Sequence, residues 1–207
     1  MLCPMSFEEK NKIFLDLGLR QEAISKVKTY LDLVWAANQD LNIVSRQMTF
    51  EDLIDNHLID CLLPLKHFPL SAKTAADFGS GGGFPGVIYA LQFPQIRFHL
   101  FEKSPKKQDF LKRCKAIAPN LEFHGDIPVD LKNIDLVVAR AFKPLDVILA
   151  MSRSYYQSGG KYFLLKARLE KINEEIELSK KSFKDLKVQI EALKSPVLDV
   201  ERHLLLI

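Results

Sequence analysis

Hydrophobic positions along this chain follow two different periods. Up to about residue 63 they recur at helical spacing. Within residues 21–35, Ala23, Val27, Tyr30, Leu31 and Val34 fall on one stripe, which predicts an amphipathic helix. Residues 6–17 read as another helix, with Gly18 breaking the pattern between the two. A polar turn is expected at Asn38-Gln39-Asp40. Thr49 is placed to cap a third helix, with Asp52 three residues on as a capping-box partner. That helix should end near Leu63, where Pro64 and Pro69 punctuate the chain.

After Ser71 short apolar runs alternate with helical patterns. Strands are expected at 75–78, 97–101, 121–124, 134–139 and 162–165, and helices at 84–93, 105–116, 144–156 and 169–183. Val137 and Val138 mark a strand covered on both faces. Gly159-Gly160 forms a turn, and two closing strands near 188–193 and 203–207 lack a helix between them. Such alternation predicts an α/β fold, a parallel sheet with helices on both faces and an antiparallel closing pair. The expected organisation is an N-terminal helical extension over residues 1–70 and an α/β domain over 71–207.

Composition narrows the function only by exclusion. The chain has 207 residues, 47% of them hydrophobic and 27% charged, which suits a solvated domain with a real core and excludes a disordered or fibrous protein. A net charge of +3 permits nucleic-acid binding without arguing for it. Cys3, Cys61 and Cys114 match neither a disulfide framework nor a zinc motif, so free thiols in a reducing cytoplasm are expected. No apolar stretch reaches the ~18 residues of a membrane span, and residues 1–12 do not read as a signal peptide. His67, His99, His124 and His203 show no ligand spacing along the chain, so no metal is expected.

The chemistry concentrates in Asp77-Phe78-Gly79-Ser80-Gly81-Gly82-Gly83-Phe84-Pro85-Gly86, between a predicted strand and a predicted helix. Glycines there admit positive φ and a close ligand, and the helix that follows presents free N–H groups. Gly81, Gly83 and Gly86 match the G-x-G-x-x-G of dinucleotide sites. The same run is also acidic-x-Gly-x-Gly-x-Gly, from Asp77 to Gly83, the form found in Class I S-adenosylmethionine-dependent methyltransferases with their Rossmann-like sheet. An acidic Asp77 suits the ammonium of that cofactor, directly or through water, and sits poorly beside a pyrophosphate. Phe84 and Pro85 put bulk where two phosphates need a path. Glu102, at the end of the next predicted strand and about 20 residues on, is placed to accept ribose hydroxyls.

With its surroundings, the loop resembles the RsmG (GidB) family of bacterial 16S rRNA methyltransferases. The likeness rests on the glycine run and on Glu102-Lys103-Ser104-Pro105-Lys106-Lys107-Gln108-Asp109-Phe110-Leu111, followed by Val138-Ala139-Arg140-Ala141. Upstream, residues 38–45 and the segment His57-Leu58-Ile59-Asp60-Cys61 also fit, as does Glu201-Arg202-His203 near the end. The chain departs from the family pattern at Cys61 for serine, at His124-Gly125-Asp126-Ile127 on the adenine side, and at Ala167 for glycine after Lys166. The resemblance implies transfer of a methyl group from S-adenosylmethionine to N7 of a guanine in the 530 loop of 16S rRNA, with the rRNA expected as a partner within a 30S particle or its precursor. Expected cofactor contacts are Asp77, Gly79, Ser80, Gly81, Gly83, Phe84, Glu102, Lys103, Asp126, Ile127 and Arg140.

Guanine N7 carries an in-plane lone pair, so its attack on a sulfonium methyl needs alignment but no general base. Arg140, just after the buried strand, is the expected catalytic residue, its guanidinium suited to guanine O6 or a phosphate. His57 and Asp60, three apart on a helix, read as positioning the extension on the core. Asn42, Arg46, Lys106, Lys107 and Lys166 are the expected RNA contacts. The alternatives are a methyltransferase for another RNA, a protein or a small molecule, a nucleotide-dependent oxidoreductase, which would be expected to carry a further substrate domain, and a non-catalytic module that keeps the fold.

Overall fold

The computed structural model describes residues 5–207; Cys3 and the first residues of the N-terminal reading lie outside them. Helices α1 (Asn11–Asp16) and α2 (Gln21–Leu41) lead to α3 (Phe50–Leu53) and α4 (Ile59–Leu62), which a π-helical turn at Ile54–Leu58 joins into one rod. The sheet follows as β1 (Thr74–Phe78), β2 (Arg97–Phe101), β3 (Leu121–His124), β4 (Leu136–Arg140), β5 (Lys161–Lys166), β6 (Gln189–Leu193) and β7 (Arg202–Leu206). Helices α5 (Gly86–Gln92), α6 (Pro105–Arg113), α7 (Leu145–Met151), α8 (Arg153–Gln157) and α9 (Leu169–Lys180) connect them.

The strand order is β3-β2-β1-β4-β5-β7-β6. Strands β1 to β5 pair in parallel, while β7 runs antiparallel to both β5 and β6. This is the expected α/β architecture with its antiparallel closing pair. Alternate strand residues feed two cores. Ala75, Phe98, Leu100, Val138 and Phe163 face α2, α5, α6 and the α3–α4 rod. Ala76, Phe78, Val137, Tyr162 and Leu164 face α7, α8 and α9.

The N-terminal helices belong to the first of these cores. Phe14, Val27, Tyr30, Leu31, Leu53 and Leu58 are fully buried in it. Arg20 N–H donates to Gln92 Oε1 and Gln92 Nε2 donates to the Gly18 carbonyl, each at 2.9 Å. Lys10 is only 2% exposed, and its ammonium pairs with Glu51 and Asp55, the pairing a buried lysine requires.

Several element boundaries differ from expectation: α1 begins at Asn11 rather than residue 6, α6 ends at Arg113, β4 spans Leu136–Arg140, and two further departures have a side-chain cause. Residues 38–40 are the last turn of α2, because the buried stripe of that helix runs on to Asn38. The Asn38 side chain accepts the Val44 N–H at 2.9 Å, and Asn42 ends the helix at φ 48°. The helix expected over 144–156 breaks at Ser152 (φ −118°, ψ 37°). There Ser152 Oγ bonds the Ile148 carbonyl and Tyr162 Oη, both at 2.8 Å, and so ties the break to β5.

Candidate active site

Strands β1 and β4 are neighbours although 57 residues separate Phe78 from Leu136, so the chain leaves β1 toward one edge of the sheet and returns toward the other. A crevice opens outside their carboxyl ends, the usual ligand position in such sheets. The glycine loop turns across it. Gly79, Gly81 and Gly83 all have positive φ. A Cβ on Gly79 would overlap the Phe142 ring, and one on Gly86 would strike the Asp77 carboxylate, so both close approaches require glycine.

Asp77 lies behind this loop. It is fully buried, its Oδ2 accepts the Gly86 N–H at 3.2 Å, and its Oδ1 has no partner. Burial pushes the carboxyl up to about 7, against the lowering effect of its hydrogen bonds and of Arg140. Ser80, also buried, donates from Oγ to the Asp77 carbonyl. Glu102 holds the other side: its Oε2 accepts the Gly81 N–H at 2.9 Å and its Oε1 the Ser104 N–H at 2.8 Å.

The glycine loop and Glu102 border a cavity of about 630 Å³. Gly79, Ser80, Gly81, Phe84, Glu102, Lys103, Ile127 and Arg140 line it, together with Lys107, Phe101 and Phe142. Asp77, Gly83 and Asp126 do not line it; Asp126 pairs with Lys103 at 2.9 Å in an exposed position. The residues present fit S-adenosylmethionine. The volume lies in the small-ligand range, Glu102 stands where ribose hydroxyls would donate, Phe101, Ile127 and Phe142 offer apolar surface to a flat base, and Asp77 keeps an orphaned oxygen beneath the loop.

Arg140, the last residue of β4, closes the far side. Its Nη1 donates to the Asn56 carbonyl at 3.1 Å and lies 3.4 Å from Asp60 Oδ2, while its Nη2 bonds His57 Nδ1. A guanidinium only donates, so Nδ1 accepts and the imidazole proton sits on Nε2. Burial and the charges of Arg140 and Arg202 push His57 down to about 3, so the ring is neutral. The guanidinium also lies 5.5 Å from the Phe84 ring centre, whereas its Nε is buried without a partner. Asp60 Oδ2 accepts from Arg202 Nε at 2.9 Å as well. Burial raises the Asp60 carboxyl, and the Arg202 bond and the two guanidinium charges oppose that rise. The π-helical turn carries Asn56 and His57, and such turns often mark functional sites.

Beyond Arg140 lies a second cavity of about 700 Å³, lined by Met48, His57, Asp60, Phe142, Lys166, Arg202 and His203 among others. Arg140, His57 and Phe142 border both spaces, so the arginine forms part of a shared wall. Lys166 is held there by Glu175 at 2.7 Å and by the Lys143 carbonyl at 2.9 Å. Lys107 reaches the first cavity while Lys106 stays exposed. Asn42 and Arg46 bond one another and line neither space; their loop contributes Ile43 to the first and Met48 to the second. From the sequence alone, Asn56, Phe142 and Arg202 carry no assigned role at this site. Arg202 stood in a segment that carried the family likeness, but Phe142 had no signal beyond its nearness to Arg140.

A family model described as GidB, rRNA small subunit methyltransferase G, matches residues 23–205. The chain is 63% identical over 201 residues to ribosomal RNA small subunit methyltransferase G 1 of Bdellovibrio bacteriovorus, covering 97% of this chain and 98% of that protein. It is 32% identical over 197 residues to ribosomal RNA small subunit methyltransferase G of a Thermoanaerobacter species, covering 89% and 81% of the two chains. Among solved structures, the methyltransferase domain of METTL16 superposes with a TM-score of 0.56 at 13% identity, over 98% of this chain and 92% of that one, a likeness of fold.

Proposed function

This chain belongs to the rRNA small subunit methyltransferase G family, and from that premise we propose that it methylates N7 of a guanine in the 530 loop of 16S rRNA, with S-adenosylmethionine as donor. One observation carries the reading beyond the family: a single guanidinium, that of Arg140, stands between a cavity built for the cofactor and a second cavity edged with cations.

When bound, S-adenosylmethionine supplies a methyl group already activated by its sulfonium sulfur. The chain supplies position. Glu102, with the loop amides and the apolar faces of Ile127 and Phe142, orients the donor in the first cavity. The second cavity takes the flipped guanine. Arg140 holds its O6 edge or an adjacent phosphate, and Arg202 and Lys166 carry the positive charge that draws the RNA backbone in. Neutral His57 and the Asn56 carbonyl fix the guanidinium plane, so Arg140 reaches the base already aligned. N7 attacks through its lone pair and no residue need remove a proton beforehand.

Lys106, Lys107, Asn42 and Arg46 extend the RNA-facing surface to either side. On this reading the substrate is an assembled 30S particle or its precursor rather than free RNA, and the protein works in the cytoplasm. Among the described residues no helix is long and apolar enough to cross a membrane. The test is incubation with methyl-labelled S-adenosylmethionine and 30S subunits lacking the modification, followed by nuclease digestion and mass spectrometry. Label is expected as N7-methylguanine in the 530 loop, and Arg140→Lys should lower turnover by at least about tenfold while cofactor binding in calorimetry persists. Label at another nucleotide, or undiminished turnover in Arg140→Lys, would reject the assignment.

A further inference from the structure

No helix or strand links β3 to β4; residues 125–135 cross as a loop. The sheet face at the β2–β3 edge therefore lacks the helical cover it has elsewhere, and Arg97, His99, Glu122 and His124 stand on it partly open. The parallel register pairs His99 with Glu122 and Phe101 with His124, so residues about 25 apart in sequence share one face. Linear spacing could not reveal this grouping.

We propose that His99, Glu122 and His124 form a binding site for a divalent transition-metal ion of the zinc type. One ligand atom from each lies within 4.8 Å of the other two. His99 Nδ1 stands 2.9 Å from His124 Nε2 and 3.5 Å from Glu122 Oε2. Two nitrogens on one tetrahedral zinc lie about 3.3 Å apart, since each bond is about 2.0–2.1 Å. A shift of a few tenths of an ångström, with the proton now between the two nitrogens moved to the far nitrogen of its own ring, turns the present pair into a chelate. Both rings bind in the neutral form with the proton on the far nitrogen.

The ligands are held in place before any ion arrives. His124 is stacked on Phe101 at 4.8 Å and on His99 at 5.1 Å between ring centres. All three residues sit on strands, so little conformational entropy remains to be lost. Glu122 divides its oxygens, Oε1 toward Arg97 at 3.3 Å and Oε2 toward His99. Arg97 is mostly exposed and can release the carboxylate without leaving a buried charge. Two histidines and one glutamate leave a fourth position open to water, and nitrogen–oxygen donors of this kind favour zinc, copper or nickel over magnesium or calcium. The inference does not depend on which nucleotide the enzyme methylates.

Tag-free full-length protein should be titrated with zinc chloride by calorimetry and followed by thermal melting. One equivalent is expected to bind saturably, and the melting temperature should rise by about 5–10 °C at a hundredfold excess over Kd. His99→Gln and His124→Asn should each weaken binding at least about tenfold, while His67→Gln, away from the cluster, leaves it unchanged. Circular dichroism of each variant without metal verifies its fold, and His99→Gln carries the test should His124→Asn not fold. Absence of saturable binding, or equal affinity in the His99→Gln variant, overturns the site; the latter would place the ion on other donors.

Discussion

At the scale of single residues, Asp77 and His57 pull stability in opposite directions with pH. Burial lifts the Asp77 carboxyl from its ordinary 3.8 to about 7. Between those values the folded protein keeps a proton that the unfolded chain has released, so stability falls as pH rises through this window. His57 is pushed down from 6.5 to about 3. Between 3 and 6.5 the unfolded chain holds the extra proton, and stability rises with pH. Asp77→Asn removes the first contribution alone. In thermal melts of the ligand-free protein, the variant should gain on the parent from about pH 4 to about 7 and keep a constant lead above that. A lead that is already constant at pH 5 would mean an ordinary, ionised Asp77. The glycine loop, Glu102 and Arg140 were legible at this scale because their neighbours in sequence define a strand end. Arg202 and Phe142 were not, since Arg202 meets Asp60 across 142 positions and Phe142 reaches Gly79 only through a fold back from β4.

At the scale of elements, local chemistry predicted what local chemistry decides. Strands β2 and β3 begin and end at their expected residues, where Glu102 and Gly125 stop the apolar runs. The Thr49 capping box forms as well: Asp52 N–H donates to Thr49 Oγ1 at 3.1 Å and Thr49 N–H to Asp52 Oδ2 at 2.9 Å. Thr49→Ala should therefore cost about 1 kcal/mol in urea unfolding, with an unchanged denaturant slope. A loss near zero would show that the rod is held by its packed face alone. Tertiary contacts decided the remaining boundaries. Nothing in the order of residues marks Ser152 as a break, because its partner Tyr162 lies on the next strand. The polar appearance of residues 38–40 likewise concealed a buried Asn38. The same limit hid the His99–Glu122–His124 cluster, which exists only in the register of two strands.

At the scale of the molecule, the N-terminal helices and one face of the sheet share a single core. Tyr30 Oη donates to the Gly82 carbonyl at 2.6 Å, so α2 also buttresses the glycine loop. The full chain should melt in one transition, with calorimetric and van't Hoff enthalpies in agreement. A fragment starting at residue 71 should fail to show cooperative unfolding, because it would expose the face carrying Phe98, Leu100 and Phe163; a folded fragment would separate the two parts. The common boundary at Arg140 carries a thermodynamic consequence. Whatever displaces that guanidinium on one side changes the shape and charge met on the other. Linkage is reciprocal: the factor by which a filled donor cavity alters the grip on a base is the factor by which the base alters the grip on the donor. Donor and acceptor are then two halves of one coupled occupancy, and an affinity measured for either alone belongs to a different state of the wall.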